Sequence, residues 1–203
     1  MSKVQVDTID TRSGTSTMQI GSTNTSTINI GVSGDTVNIP AGVTIANAGT
    51  ATGFGGTMTP AFEAKLGSDM NVTDNAQTKV TCGTEVFDTD NAYDNTTNYR
   101  FTPQTAGKYY VYGGVGSITD VSQLKESRAM IWKNGSRYRT STSDPRNNYG
   151  YHYNNYVAAI VDMNGSSDYV ELYGLTNKEG GTDCKITKSH EDSTYFGAFR
   201  ILT

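Results

Sequence analysis

The chain has 203 residues, with 16 Lys and Arg against 20 Asp and Glu, a net charge of -4, and 35% apolar side chains. An acidic balance with no basic run argues against nucleic acid as the main partner, because phosphate binding needs clustered Lys and Arg that displace counterions. No stretch approaches the ~20 apolar residues of a membrane helix, so no membrane insertion is expected; with no apolar leader at the N-terminus, synthesis in the cytoplasm without a signal peptide is expected.

Residues 1–59 contain no Tyr or Trp, a single Phe54 and five charges, Lys3, Asp7, Asp10, Arg12 and Asp35, among crowded Thr, Ser and Gly. Such a segment cannot bury a core of its own. It does hold a repeat: Thr17-Met18-Gln19-Ile20-Gly21, Thr27-Ile28-Asn29-Ile30-Gly31 and Thr36-Val37-Asn38-Ile39-Pro40, with Val43-Thr44-Ile45 as a shorter echo. Each unit reads as a three-residue apolar-polar-apolar strand whose two apolar side chains share one face. Strands this short gain stability only by stacking against other copies. The expected arrangement is an intertwined trimeric β stalk over residues 1–48, with Ile20, Ile28, Ile30, Val37 and Ile39 turned toward a shared axis. The competing reading is a flexible Thr/Gly linker. Residues 49–59, rich in Gly, read as a hinge.

Beyond Pro60 the signals are those of many short strands. Ala61 to Leu66 and Gln77 to Phe87 alternate in part, Tyr99 to Thr102 precedes Pro103, and Lys108-Tyr-Tyr-Val-Tyr112 is a β-branched and aromatic run. Met130 to Arg139 reads as a hairpin turning at Asn134-Gly135, where both residues need positive φ. Tyr149 to Met163, Asp168 to Leu175 and Thr194 to Leu202 complete eight to ten strands, with no amphipathic helix. Residues 60–203 are therefore expected to form one all-β domain, an antiparallel jelly-roll sandwich.

The order Pro60-Ala-Phe-Glu-Ala-Lys-Leu66, Asn91-Ala-Tyr-Asp94, Tyr99-Arg-Phe-Thr-Pro-Gln-Thr-Ala-Gly-Lys-Tyr-Tyr-Val111, Lys133-Asn-Gly135, Ser167-Asp-Tyr-Val-Glu-Leu172 and Thr194-Tyr-Phe-Gly-Ala-Phe199 resembles the globular head of complement component 1q, the tumour necrosis factor-like jelly roll. One residue is inserted between Pro103 and Gly107 relative to that family's turn, and the family's collagen stalk is absent. The start Met-Ser-Lys-Val-Gln-Val-Asp-Thr-Ile-Asp10, followed by Thr/Ile/Gly repeats, is similar to the stalks of bacteriophage fibre and appendage proteins. Together these resemblances imply a homotrimer without enzymatic activity on the virion surface. Its stalk would join other virion proteins, and its head would mediate assembly or meet a host-surface glycan or protein. A free carbohydrate- or protein-binding module is the alternative, and a spike depolymerase a third.

Chemical motifs are sparse. His152 and His190 stand alone, with no Cys or carboxylate at metal-ligand spacing. Asp88-Thr-Asp90 with Asp94 lacks the Gly and distal Glu of a calcium loop and reads as a polar turn. Gly113-Gly-Val-Gly116 lacks the Lys-Ser/Thr ending of a phosphate loop and reads as relief of crowding in a strand. No metal, cofactor or catalytic residue is assigned. Cys82 and Cys184 read as reduced buried thiols, with a bridge as the other option. The aromatic residues form stripes: Tyr149, Tyr151 and Tyr153; Tyr110 and Tyr112; Tyr195 and Phe199. Each is expected to line a trimer interface or, alternatively, to stack on sugar rings. The loops 119–127, 144–148 and 177–192 carry the candidate receptor contacts Gln123, Lys125, Arg146, Asn147, Lys178 and Glu179.

Overall fold

The computed structural model describes residues 20, 23–24, 26–46, 58–180 and 184–201, and the chain divides into two units, Met1–Ala51 and Thr52–Thr203. In the first, residues 26–46 run extended between two turns of one build. The Asp35 N–H donates to the Val32 carbonyl at 3.0 Å and the Val43 N–H to that of Pro40 at 3.2 Å. Gly34 and Gly42 hold the third turn position at φ +97 and +86, the left-handed geometry such turns require. Within the single chain the described repeats pair with no strand, and Ile20, Ile28, Ile30, Val37 and Ile39 are all exposed. The cause is their length: two apolar side chains per unit bury too little to hold a ladder without further copies. The first repeat apart from Ile20, and residues 49–57 of the Gly-rich hinge, lie outside the described residues.

The second unit is a two-sheet sandwich. Its strands are β1 (Ala61–Lys65), β2 (Met70–Asn71), β3 (Thr78–Lys79), β4 (Thr84–Asp88), β5 (Tyr93–Asp94), β6 (Arg100–Phe101), β7 (Gly107–Thr119), β8 (Leu124–Lys133), β9 (Ser136–Ser143), β10 (His152–Met163), β11 (Val170–Lys178), β12 (Cys184–Thr187) and β13 (Tyr195–Arg200). A single helical turn, α1 (Ser189–Asp192), precedes β13. The first sheet runs β10-β7-β13-β1-β4, with β12 continuing beside β7 past the end of β13 and β2 flanking β12. The second runs β5-β6-β11-β8-β9, with β3 also on β11. All pairings are antiparallel. The hairpin between β8 and β9 turns at Asn134 and Gly135, with φ of 51 and 75, the geometry that Asn-Gly encodes.

Period-2 alternation sorts the side chains. Along β10, Asn155, Val157, Ala159, Val161 and Met163 are buried while the residues between them from Asn154 to Asp162 are exposed. At the centre of the core Phe62 stacks on Tyr93 and Phe101, with ring centroids 4.3 and 4.7 Å apart, and meets the edge of Phe196 at 5.2 Å. Gly113 admits the Leu172 side chain from the opposite sheet, whose Cδ1 stands 2.8 Å from where a Cβ would sit; the glycine run relieves crowding, as its sequence implied. Elsewhere the sheets are joined by hydroxyls. Ser127 donates to Ser117 at 2.7 Å, Thr176 to Ser117 at 3.0 Å and Asn155 Nδ2 to Ser127 at 2.8 Å. Both cysteines are free and buried, and burial pushes the thiols up, Cys82 to about 12 and Cys184 to about 11.

Two loop expectations are corrected here. Residues 119–127 are not one loop, because β8 begins at Leu124 and carries Lys125. Residues 177–192 are not one loop, because β11 continues to Lys178 and β12 occupies 184–187. Lys178 is only 9% exposed, so its side chain is not presented as a receptor contact.

Candidate functional site

The outward face of the first sheet concentrates aromatic side chains. Successive residues of a strand point to opposite faces, so the register of β1, β13, β7 and β10 places side chains in rows across that face. The first row is Ala61, Phe199, Tyr110, Ile160; the second Glu63, Gly197, Tyr112, Ala158; the third Lys65, Tyr195, Gly114, Tyr156. Large and small residues alternate between rows. Tyr112 lies over Gly197, where an added Cβ would come within 2.4 Å of its Cζ, and Tyr195 lies over Gly114, with Cε1 at 2.8 Å from such a Cβ. The two glycines let the rings lie down on the sheet, and the rings link up. Tyr110 and Phe199 have centroids 5.4 Å apart, Tyr110 and Tyr112 5.9 Å, Tyr112 and Tyr195 6.2 Å, and Tyr156 and Tyr195 6.4 Å.

Tyr110, Tyr112, Tyr156, Tyr195 and Phe199 border a cavity of about 420 Å³ floored by Gly113, Val157 and Ala158. A second cavity of about 460 Å³, bordered by Glu63, Lys65, Val86, Tyr112, Asp192 and Tyr195, shares two of those rings. The Tyr112 hydroxyl donates to Glu63 Oε2 at 2.8 Å, and Lys65 pairs with Asp192 at 2.7 Å. Burial chiefly, then the bond to Glu63, raises the Tyr112 phenol far above its ordinary value, and burial likewise raises Tyr195, so both rings stay neutral. Tyr156 is 59% exposed, Ile160 56% and Tyr110 38%; on the β4 edge Val86 and Phe87 are exposed as well.

Of the expected stripes, the structure unites Tyr110, Tyr112, Tyr195 and Phe199 on this face. Tyr149, Tyr151 and Tyr153 share no strand: only Tyr153 lies in β10, opposite Ser117 on the inward parity. Gly150 pairs with Leu124 just outside β10, and that bridge separates Tyr149 from the strand. Tyr156 and Ile160 complete the face. They escaped the sequence reading because both parities of 156–161 are apolar, so alternation cannot say which side is buried.

The candidate receptor contacts fall into two groups. Gln123, Lys125 and Glu179 meet: the Glu179 N–H donates to the Gln123 carbonyl at 2.8 Å, and Lys125 Nζ bonds Glu179 Oε2 at 2.7 Å. That hydrogen bond raises the Lys125 ammonium and lowers the Glu179 carboxyl. Arg146 and Asn147 sit apart in the exposed 144–148 turn, where Arg146 Nε lies 3.7 Å from Asp144.

The acidic turn binds its own backbone. Asp88 accepts from the N–H groups of Asp90 and Tyr93, and Asp94 from those of Thr96, Thr97 and Asn98. These bonds hold the Asp94 carboxyl far below the usual range. Among the described residues no group of three or more His, Cys, Asp or Glu is placed to hold a metal ion, and no helix is long and apolar enough to cross a membrane.

No protein-family model matches the chain, and no curated protein matches it in sequence. Solved structures do. A crystal structure of murine APRIL aligns with a TM-score of 0.50 at 11% identity, over 70% of this chain and 98% of that one. The globular domain of a zebrafish complement 1qA protein aligns at 0.49 and 13% identity, over 70% and 98% of the two chains. An Eiger TNF from S. frugiperda aligns at 0.47 and 9%, over 70% and 91%. The head shares the fold of murine APRIL, the two-sheet jelly roll that the order of its motifs implied.

Proposed function

We propose that the chain is a homotrimeric binding module: three heads associate through the outward face of the first sheet, and the N-terminal repeats continue as a three-chain stalk. The observation that carries this reading is the set of three rows. Five aromatic rings, shaped by Gly114 and Gly197 and bordered by exposed Ile160, Val86 and Phe87, form a contiguous aromatic and apolar surface of the kind that marks an interaction site. Tyr suits a subunit contact, since it brings a large apolar body and a hydroxyl that keeps a hydrogen bond. Among the described residues, the Ile and Val side chains of the repeats are likewise exposed in the single chain.

Within this reading the protein is a virion appendage, a fibre or capsid decoration whose head serves assembly or host attachment. Support comes from the likeness of residues 1–48 to bacteriophage fibre stalks and from the joining of such a segment to a jelly-roll head. Sedimentation of the full chain tests assembly: a species near three times the 21.9 kDa of one chain is expected, and a monomer at micromolar concentration contradicts it. Mass spectrometry of purified particles tests the virion role, which fails if the chain is absent from them.

A further inference from the structure

Beyond the aromatic rows, the same outward face carries a polar cavity of about 240 Å³ lined by Asp69, Ile118, Thr119, Asp120, Tyr151, Lys185 and Ser189. Its floor is Lys185 and Ile118, set side by side by the pairing of β12 with β7. Its walls are fixed. The Tyr151 carbonyl accepts the Thr119 N–H at 3.2 Å, next to the Gly150–Leu124 bridge. Asp69 Oδ1 accepts the Thr187 hydroxyl at 2.8 Å and the Lys188 N–H at 2.9 Å. Tyr151 leaves 47% of its surface open.

We infer that this cavity binds one neutral sugar ring. A pyranose has an apolar C–H face and a rim of hydroxyls that both donate and accept. It therefore needs a flat ring beside mixed polar groups. Tyr151 supplies the ring and Ile118 an apolar floor. The carboxylates of Asp69 and Asp120, the Lys185 ammonium and the Ser189 hydroxyl set mixed polar groups around the rim. The volume lies below the roughly 300–1,000 Å³ of drug-sized sites, which limits the ligand to a single ring. The inference names a ligand class for the recognition role proposed above and rests on that role, not on the trimer.

The test is a titration of the full chain with methyl glycosides of glucose, galactose and mannose, read by saturation-transfer NMR, with calcium chloride in a parallel arm. Saturable binding of at least one glycoside is expected, with magnetisation reaching the ring protons. Tyr151→Ala and Asp69→Asn should each weaken it about tenfold or more, and Tyr173→Ala on the second sheet should leave it unchanged. Absence of saturable binding, binding indifferent to both cavity variants, or calcium binding lost in Asp69→Asn without any sugar response would each overturn the inference. Sedimentation of the same samples keeps the two proposals apart, because a sugar-binding monomer overturns only the trimer and a trimer without sugar binding only the site.

Discussion

The hydroxyl of Tyr112 reaches across Gly197 to donate to Glu63 Oε2 at 2.8 Å, joining β7 to β1 over the intervening β13. That span exists only because the residue between them has no side chain. Gly197→Ala would place a Cβ 2.4 Å from Tyr112 Cζ and 2.5 Å from its hydroxyl, forcing the ring to swing off the sheet. The head should lose about 1–3 kcal/mol from this overpacking and should also lose self-association, because the displaced ring ruins the contact surface. Urea unfolding and sedimentation of the variant check both parts; a fully trimeric Gly197→Ala protein contradicts the placement of the interface.

Phe196 and Phe199 separate folding from assembly. Phe196 is fully buried against Phe62 and Tyr93, whereas Phe199 stands half-buried on the outward face beside Tyr110. Phe196→Ala should cost about 3–5 kcal/mol of head stability through the cavity it opens. Phe199→Ala should cost the isolated head much less and act chiefly on the trimer. The reverse order in thermal midpoint, measured at concentrations that dissociate the trimer, would place Phe199 in the core instead.

In the stalk, Ile30 is 69% exposed in the single chain, so Ile30→Asp should be nearly neutral for a monomer. In a three-chain stalk it brings three carboxylates together and removes buried methyl groups, costing several kcal/mol per trimer, on the order of 1–3 kcal/mol per chain. Limited proteolysis reports the difference. Parental resistance of residues 1–48 in the variant would favour the linker reading.

Alkaline pH should destabilise the head. Unfolded thiols ionise near 9.0, whereas the folded values are about 12 for Cys82 and about 11 for Cys184; Tyr109 rises from 10.0 to about 12. The folded state thus keeps protons that the unfolded chain has lost. Stability should be level with respect to these groups below pH 9 and should fall between about pH 9 and 12, by at most about 1.4 kcal/mol per pH unit for each group. Urea titrations from pH 7 to 11 measure the slope, and a flat profile contradicts it.

The sandwich was legible because its strands carry local signals: the Asn134-Gly135 turn, the 108–112 run and the ordered motifs from Pro60 to Phe199. The aromatic face was legible in part. Tyr110, Tyr112, Tyr195 and Phe199 sit on strands whose parity is plain, whereas the alternation of Tyr149, Tyr151 and Tyr153 runs through a bend that sequence spacing does not reveal. Lys178 was misplaced because its charge suggested a loop while register with Leu124 holds it at the end of β11. Partnership across three strands, such as Glu63 with Tyr112, depends on register between segments 49 residues apart, which no local pattern encodes.

The central claim, assembly through the outward face of the first sheet, is tested most directly by Tyr156→Asp. Tyr156 is 59% exposed on that face, so a carboxylate there is hydrated in the free head but desolvated in the trimer. Sedimentation equilibrium at micromolar concentration, with circular dichroism on the same samples, should find the parent chain trimeric and the variant head monomeric with its β signal intact. A parent that is monomeric, or a variant that remains as firmly trimeric as the parent, would contradict the account.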